Sequence, residues 1–84
     1  MARHRRGEYE ERLAAREAAR RAKVAELVAS QKRRAAWDLA DGKLSQREIS
    51  KKASLDEGAT SRLFKSLREL GAIDGDLPHR TMEL

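Results

Sequence analysis

Cysteine is absent from this 84-residue chain, proline occurs once, and the aromatic residues are one Trp, one Tyr and one Phe. Without cysteine no disulfide can form. A structural zinc site also lacks its ligands, because the only imidazoles, His4 and His79, lie near opposite ends of the sequence. No apolar run is long enough to span a bilayer, and the start lacks the apolar stretch of a signal peptide, so neither membrane insertion nor export is expected. Hydrophobic and charged residues each make up 39% of the chain, which limits it to one small domain with a mostly aliphatic core. Catalytic signatures are missing too. There is no glycine-rich phosphate loop and no second histidine near His79, and the acidic residues fall at helix-cap and salt-bridge spacings, so the expectation is no enzyme, no cofactor and no small-molecule ligand.

What is abundant is positive charge, unevenly placed. The net charge is +5, but residues 1–36 hold 11 Lys/Arg against 5 Asp/Glu, while residues 37–84 hold 8 against 9. A basic N-terminal half beside a nearly neutral C-terminal half suits a partner with a phosphate backbone, which rewards clustered cations by counterion release. For any one of these residues, the plainer role of keeping a helix solvated competes with that reading.

Along the chain, residues 1–7 carry Arg3, Arg5 and Arg6 ahead of a glycine and read as a flexible basic arm able to reach a minor groove or lie on phosphates. From Glu8 to Asp41 there is no glycine or proline, and the composition predicts one long helix of about 50 Å, with residues 8–23 as a basic extension of the domain. Val24, Leu27, Val28, Ala35 and Leu39 form its apolar stripe, flanked by Trp37. A second seam of Ala15, Ala18, Ala22, Ala25, Ala29 and Ala36 would let another helix approach closely, although alanine is equally what a solvated helix prefers. Gly42 should end the helix.

The stretch from Leu44 to Ile73 is the most informative. Ser45 followed by Glu48 is a capping box, which predicts a helix from Gln46 with Ile49 and Ala53 inward. After a tight turn at Ser54-Leu55, Asp56 can cap a second helix with Ala59, Leu63, Phe64, Leu67 and Leu70 inward, closed by Gly71. Beyond it, Ala72 to Leu77 reads as two very short strands around Asp74-Gly75, with Pro78 stopping the pairing and residues 78–84 left as a tail.

Residues 44–73 resemble the helix-turn-helix of winged-helix-type DNA-binding proteins, among them transcription regulators and plasmid or phage replication proteins. The likeness rests on the Ser-Gln-Arg-Glu-Ile opening, Leu55 plugging the turn, the Asp-Glu-Gly-Ala-Thr-Ser-Arg entry and the Leu-Arg-Glu-Leu-Gly-Ala-Ile close. Ser50, Ser54 and Thr60 depart from it, standing where Ala, Gly and an aliphatic residue are usual. The expected fold is all-α: a long N-terminal helix, a trihelical domain over residues 24–77 and at most a vestigial hairpin wing.

The resemblance implies a sequence-specific protein of double-stranded DNA, a small transcriptional regulator or DNA-organising accessory protein of phage, plasmid or bacterial origin, in the cytoplasm and associated with the nucleoid. Its second motif helix would enter the major groove and offer Glu57, Gly58, Ser61, Arg62 and Lys65. Arg62 could pair with guanine through both arms of its fork, Glu57 could accept from cytosine, and Gly58 permits close approach. Gln46, Arg47 and Lys51 would hold phosphate. A homodimer through the long helix is expected as a way to reach two half-sites. The competing expectation is a protein-interaction module whose long helix docks on a partner such as RNA polymerase or a virion component.

Overall fold

A computed structural model describes the backbone of residues 2–84 and the side chains of residues 11–84. Four helices, α1 (Ala2–Leu27), α2 (Gln31–Leu39), α3 (Gln46–Lys52) and α4 (Glu57–Glu69), precede a two-stranded antiparallel hairpin of β1 (Ile73–Asp74) and β2 (His79–Arg80). The chain is therefore all-α apart from this hairpin. Among the described residues, no helix is long and apolar enough to cross a membrane.

The single long helix expected over residues 8–41 is instead two. Ser30 adopts an extended conformation and its Oγ accepts from Arg33 N–H at 3.2 Å, so α2 starts afresh there. Periodicity explains why. On an unbroken helix turning about 100° per residue, Trp37 and Ala40 would lie roughly opposite Val24 and Val28, with Ala36 about a quarter-turn from Val28, yet all five are buried. Breaking the helix at Ala29 re-aims the second segment so that both faces reach one core. Trp37 is thus central, only 1% exposed, and not the flanking residue its spacing suggested. The alanine seam shortens in consequence. Ala36 is fully buried and Ala29 lies in the break, leaving Ala15, Ala18, Ala22 and Ala25 exposed on α1.

At the other end of α1, residues 2–7, expected as a flexible basic arm, are drawn into the helix. The helix already includes Ala2, so Gly7 is accommodated inside it at a cost of roughly 1 kcal/mol relative to alanine. Residues 11–19 are exposed throughout, and α1 projects from a molecule measuring 55 × 23 × 16 Å.

The core is built from Val24, Val28, Ala36, Trp37, Ile49, Ala53, Leu63, Phe64, Leu67 and Ile73, with Leu39, Leu44, Leu55 and Leu70 half-buried around it. Ser50 and Thr60 are also buried, and each satisfies its hydroxyl locally: Ser50 Oγ donates to Arg47 O at 2.7 Å and Thr60 Oγ1 to Asp56 O at 3.0 Å. Their polarity is therefore tolerated without a distant partner.

Both α3 and α4 end in the same way. Ser54 and Gly71 have positive φ, of 56° and 71°, and in each case that residue's own N–H and the one after it close a Schellman motif. Ser54 N–H donates to Lys51 O and Leu55 N–H to Ser50 O, matched by Gly71 to Arg68 O and Ala72 to Leu67 O. Ser54 holds this left-handed position with a Cβ that glycine would lack. Ser54→Gly should therefore raise stability by about 0.5–1 kcal/mol, read as a higher urea midpoint with an unchanged slope.

The hairpin is longer than Pro78 seemed to allow. Ile73 faces Arg80 and Asp74 faces His79, with residues 75–78 as the loop. Pro78 is buried in that loop, where its missing N–H is not needed, and its carbonyl accepts from Gly42 N–H at 2.9 Å. Asp41 bridges His79, so the segment after α2 adds a third edge. Gly42 has a φ of 85°, and a Cβ there would sit 3.0 Å from His79 Cδ2, so both backbone and space require glycine. Residues 79–82 are consequently part of the domain and not a tail. Arg80 Nη1 donates to the carbonyls of Trp37 and Asp38, each at 2.6 Å, placing a cation at the C-terminal end of α2 where the helix dipole favours one.

Candidate nucleic-acid interface

The capping box that opens α3 forms in full. Glu48 N–H donates to Ser45 Oγ and Ser45 N–H to Glu48 Oε1, both at 3.2 Å. These contacts, the backbone one foremost, hold the Glu48 carboxyl below the usual glutamate range. Asp56 caps α4 by accepting from Gly58 and Ala59 N–H at 3.1 and 3.3 Å. Two rigid helix starts thus present their first turns on neighbouring parts of the surface.

Between them lies an ion pair. Arg47 Nε is 3.3 Å from Glu57 Oε1, and both side chains are well exposed, so the pair contributes only about 0–1 kcal/mol and can open readily. Gln46, Arg47, Ser50 and Glu57 line a shallow cleft at this junction. Glu57 therefore faces Arg47 across the α3–α4 junction in the protein alone.

On α4 the buried residues Thr60, Leu63, Phe64 and Leu67 define the inner face. Arg62 and Lys65 are exposed on the opposite one, with exposed Ser61 beside them. Arg62 runs back towards the helix start, as long helical side chains do, and its Nη1 would be 3.4 Å from a Cβ at position 58. The same Cβ would meet Asp56 Oδ2 at 3.0 Å, so Gly58 leaves room for the guanidinium and for a close approach from outside.

No protein-family model matches the chain, and neither a curated protein nor a solved structure matches it. The surface must therefore be judged on its own geometry.

Of the residues singled out from sequence, Gln46, Arg47 and Glu57 meet at the junction of α3 and α4, Gly58, Ser61 and Arg62 follow in the first half of α4, and Lys65 lies about a turn further along it. Lys51 is exposed at the last turn of α3. The side chains of Arg3, Arg5 and Arg6 lie outside the described residues. Two cations were not anticipated. Arg68 Nη2 donates to Gly75 O at 2.9 Å, tying α4 to the hairpin loop. Arg33, from the first turn of α2, lines a cleft with Leu27, Ala59, Arg62, Leu63 and Ser66. Nothing in the sequence pattern marked Arg33, because its position beside α4 exists only once the helix has broken at Ser30. Among the described residues, no three His, Cys, Asp or Glu side chains converge as a metal would require.

Proposed function

We propose that this protein binds double-stranded DNA sequence-specifically, with α3 and α4 acting as a helix-turn-helix and the first half of α4 reading the major groove. The observation that carries this reading is the outer face of well-capped α4, where Ser61, Arg62 and Lys65 are exposed beside half-buried Gly58, adjoined by Gln46 and Arg47 at the start of α3. A fork-shaped donor, a hydroxyl and an ammonium on the outer face of a helix are groups that recognise base edges and phosphates. The succession of α2, the Asp41 bridge, α3, α4 and a hairpin is also the order expected of a winged-helix relative, here with a very short wing.

In this reading the protein is non-catalytic, a small regulator or DNA-organising factor, and basic α1 adds attraction for phosphate. A second copy meeting along Ala15, Ala18, Ala22 and Ala25 would supply two reading heads, as paired half-sites require. Sedimentation equilibrium should then show a dimer with DNA at micromolar protein, and a monomer throughout would remove that part of the proposal.

One observation favours the interaction-module reading. Leu13 is 41% exposed on the projecting part of α1, as a docking helix would have it. Selection of bound duplexes from a random pool separates the two. Enrichment of a common sequence supports DNA reading, and no enrichment over input at low salt favours a protein partner.

A further inference from the structure

The two sides of α4 are not equivalent. On one side Glu57 meets Arg47 of α3 and Arg68 meets the hairpin loop at Gly75. On the other, Ala59 and Ser66 border the cleft of about 140 Å³ that holds Arg33 of α2 together with Leu27. Arg62 and Lys65 project between these flanks. A helix about 10–12 Å across fills a major groove about 12 Å wide, so its two flanks face the phosphates of opposite strands. Arg47 serves one flank. The other has Arg33.

The geometry points to Arg33 as a phosphate-binding residue for the second strand, paired across α4 with Arg47 on the first. This assignment rests on the DNA-reading proposal. Several features of the site fit a phosphate oxygen. Arg33 is exposed and lines one cleft together with Arg62. No ion pair involving Arg33 or Arg62 occurs among the described residues, whereas Arg34, next along α2, is engaged with Asp38 at 3.4 Å. A guanidinium fork pairs well with phosphate oxygens, and Arg33 offers one at this cleft. The residues that line this cleft include no carboxylate, whereas Glu26 and Glu69 line the adjoining one. The Ser66 hydroxyl adds a neutral donor at the rim.

With Arg33 and Arg47 both engaged, α4 is centred in the groove by a contact on each strand. Orientation is then set before any base is read, and neither contact depends on sequence.

The test uses the full chain and the duplex enriched from the random pool. Arg33→Gln should weaken binding to that duplex and to an unrelated one by the same factor, about fivefold to tenfold near 0.1 M salt. The slope of log affinity against log salt should flatten by about 0.9, as for one lost phosphate contact. The thermal midpoint should not move, since the Ser30 cap uses the backbone N–H of Arg33 and not its side chain. Duplexes carrying a neutral methylphosphonate at single positions then locate the contact. One phosphate on one strand should matter to the parent and cease to matter in Arg33→Gln, and the phosphate lost to Arg47→Gln should lie on the other strand. If the parent discriminates between sequences but Arg33→Gln keeps the parental affinity and salt slope, the Arg33 assignment is overturned and DNA reading stands. Both sensitive phosphates lying on one strand would also overturn it. A parent that binds no duplex at low salt overturns the two together.

Discussion

Replacing Trp37 with alanine is expected to cost about 3–5 kcal/mol of folding stability, the range for removing a large aromatic side chain from a packed core. Trp37 is the largest fully buried side chain, and it sits where α2 and the hairpin meet. Its carbonyl accepts from Arg80, whose guanidinium also lies 6.0 Å from the indole centroid, so the same residue fills the core and positions the strand that follows Pro78. A domain of this length has a total stability on the order of 5–10 kcal/mol, so the variant should lose about a third or more of it. Urea unfolding followed by circular dichroism measures the effect directly. A loss under about 1 kcal/mol would mean that Trp37 is not packed as described. DNA binding by the variant should fall only in proportion to the unfolded fraction.

Arg62→Ala should show the opposite pattern. Its side chain is exposed, so stability should change by no more than about 0.5 kcal/mol. On the preferred duplex the variant should lose about 1–3 kcal/mol, the worth of one bidentate contact to guanine, while binding to unrelated DNA should barely change. On the proposed reading the loss falls on specificity, because the phosphate contacts assigned to Arg47 and the basic helix α1 would persist on every sequence. Placement supports the expectation. The guanidinium lies back over Gly58 at the start of α4, the end that would meet base edges if α4 is the proposed recognition helix. Competition binding with single-base variants of the selected duplex reads the outcome. If Arg62→Ala discriminates as well as the parent does, Arg62 reads no base, and Lys65 and Ser61 remain as candidates. A uniform loss on all duplexes with a flatter salt slope would instead make Arg62 a phosphate contact beside Arg33.

These two residues also mark the boundary between what was legible in the sequence and what was not. The starts and stops of α3 and α4 were legible because their signals are local: Ser45 with Glu48, Asp56, and the left-handed positions at Ser54 and Gly71 each act within a few residues. The inward face of α4 was legible for the same reason, since a 3.6-residue period follows from the helix itself. From these alone came the all-α class and the exposure of Ser61, Arg62 and Lys65. The division of the long N-terminal stretch was not legible. Ser30 is a cap without a capping-box partner, and no glycine or proline accompanies it. The apolar residues Val24, Leu27, Val28, Ala35 and Leu39 fit an unbroken stripe as well as a broken one. Only burial of Ala36, Trp37 and Ala40 against the other helices requires the break, and that energy comes from residues distant in sequence. Pro78 and Arg80 followed the same rule. Proline discouraged pairing locally, but the Gly42 N–H and the carbonyls at the end of α2 gave the last segment partners some forty residues away. The site inherits this division: the groups on α3 and α4 follow from sequence, whereas Arg33 stands beside α4 because tertiary packing turned α2 towards it.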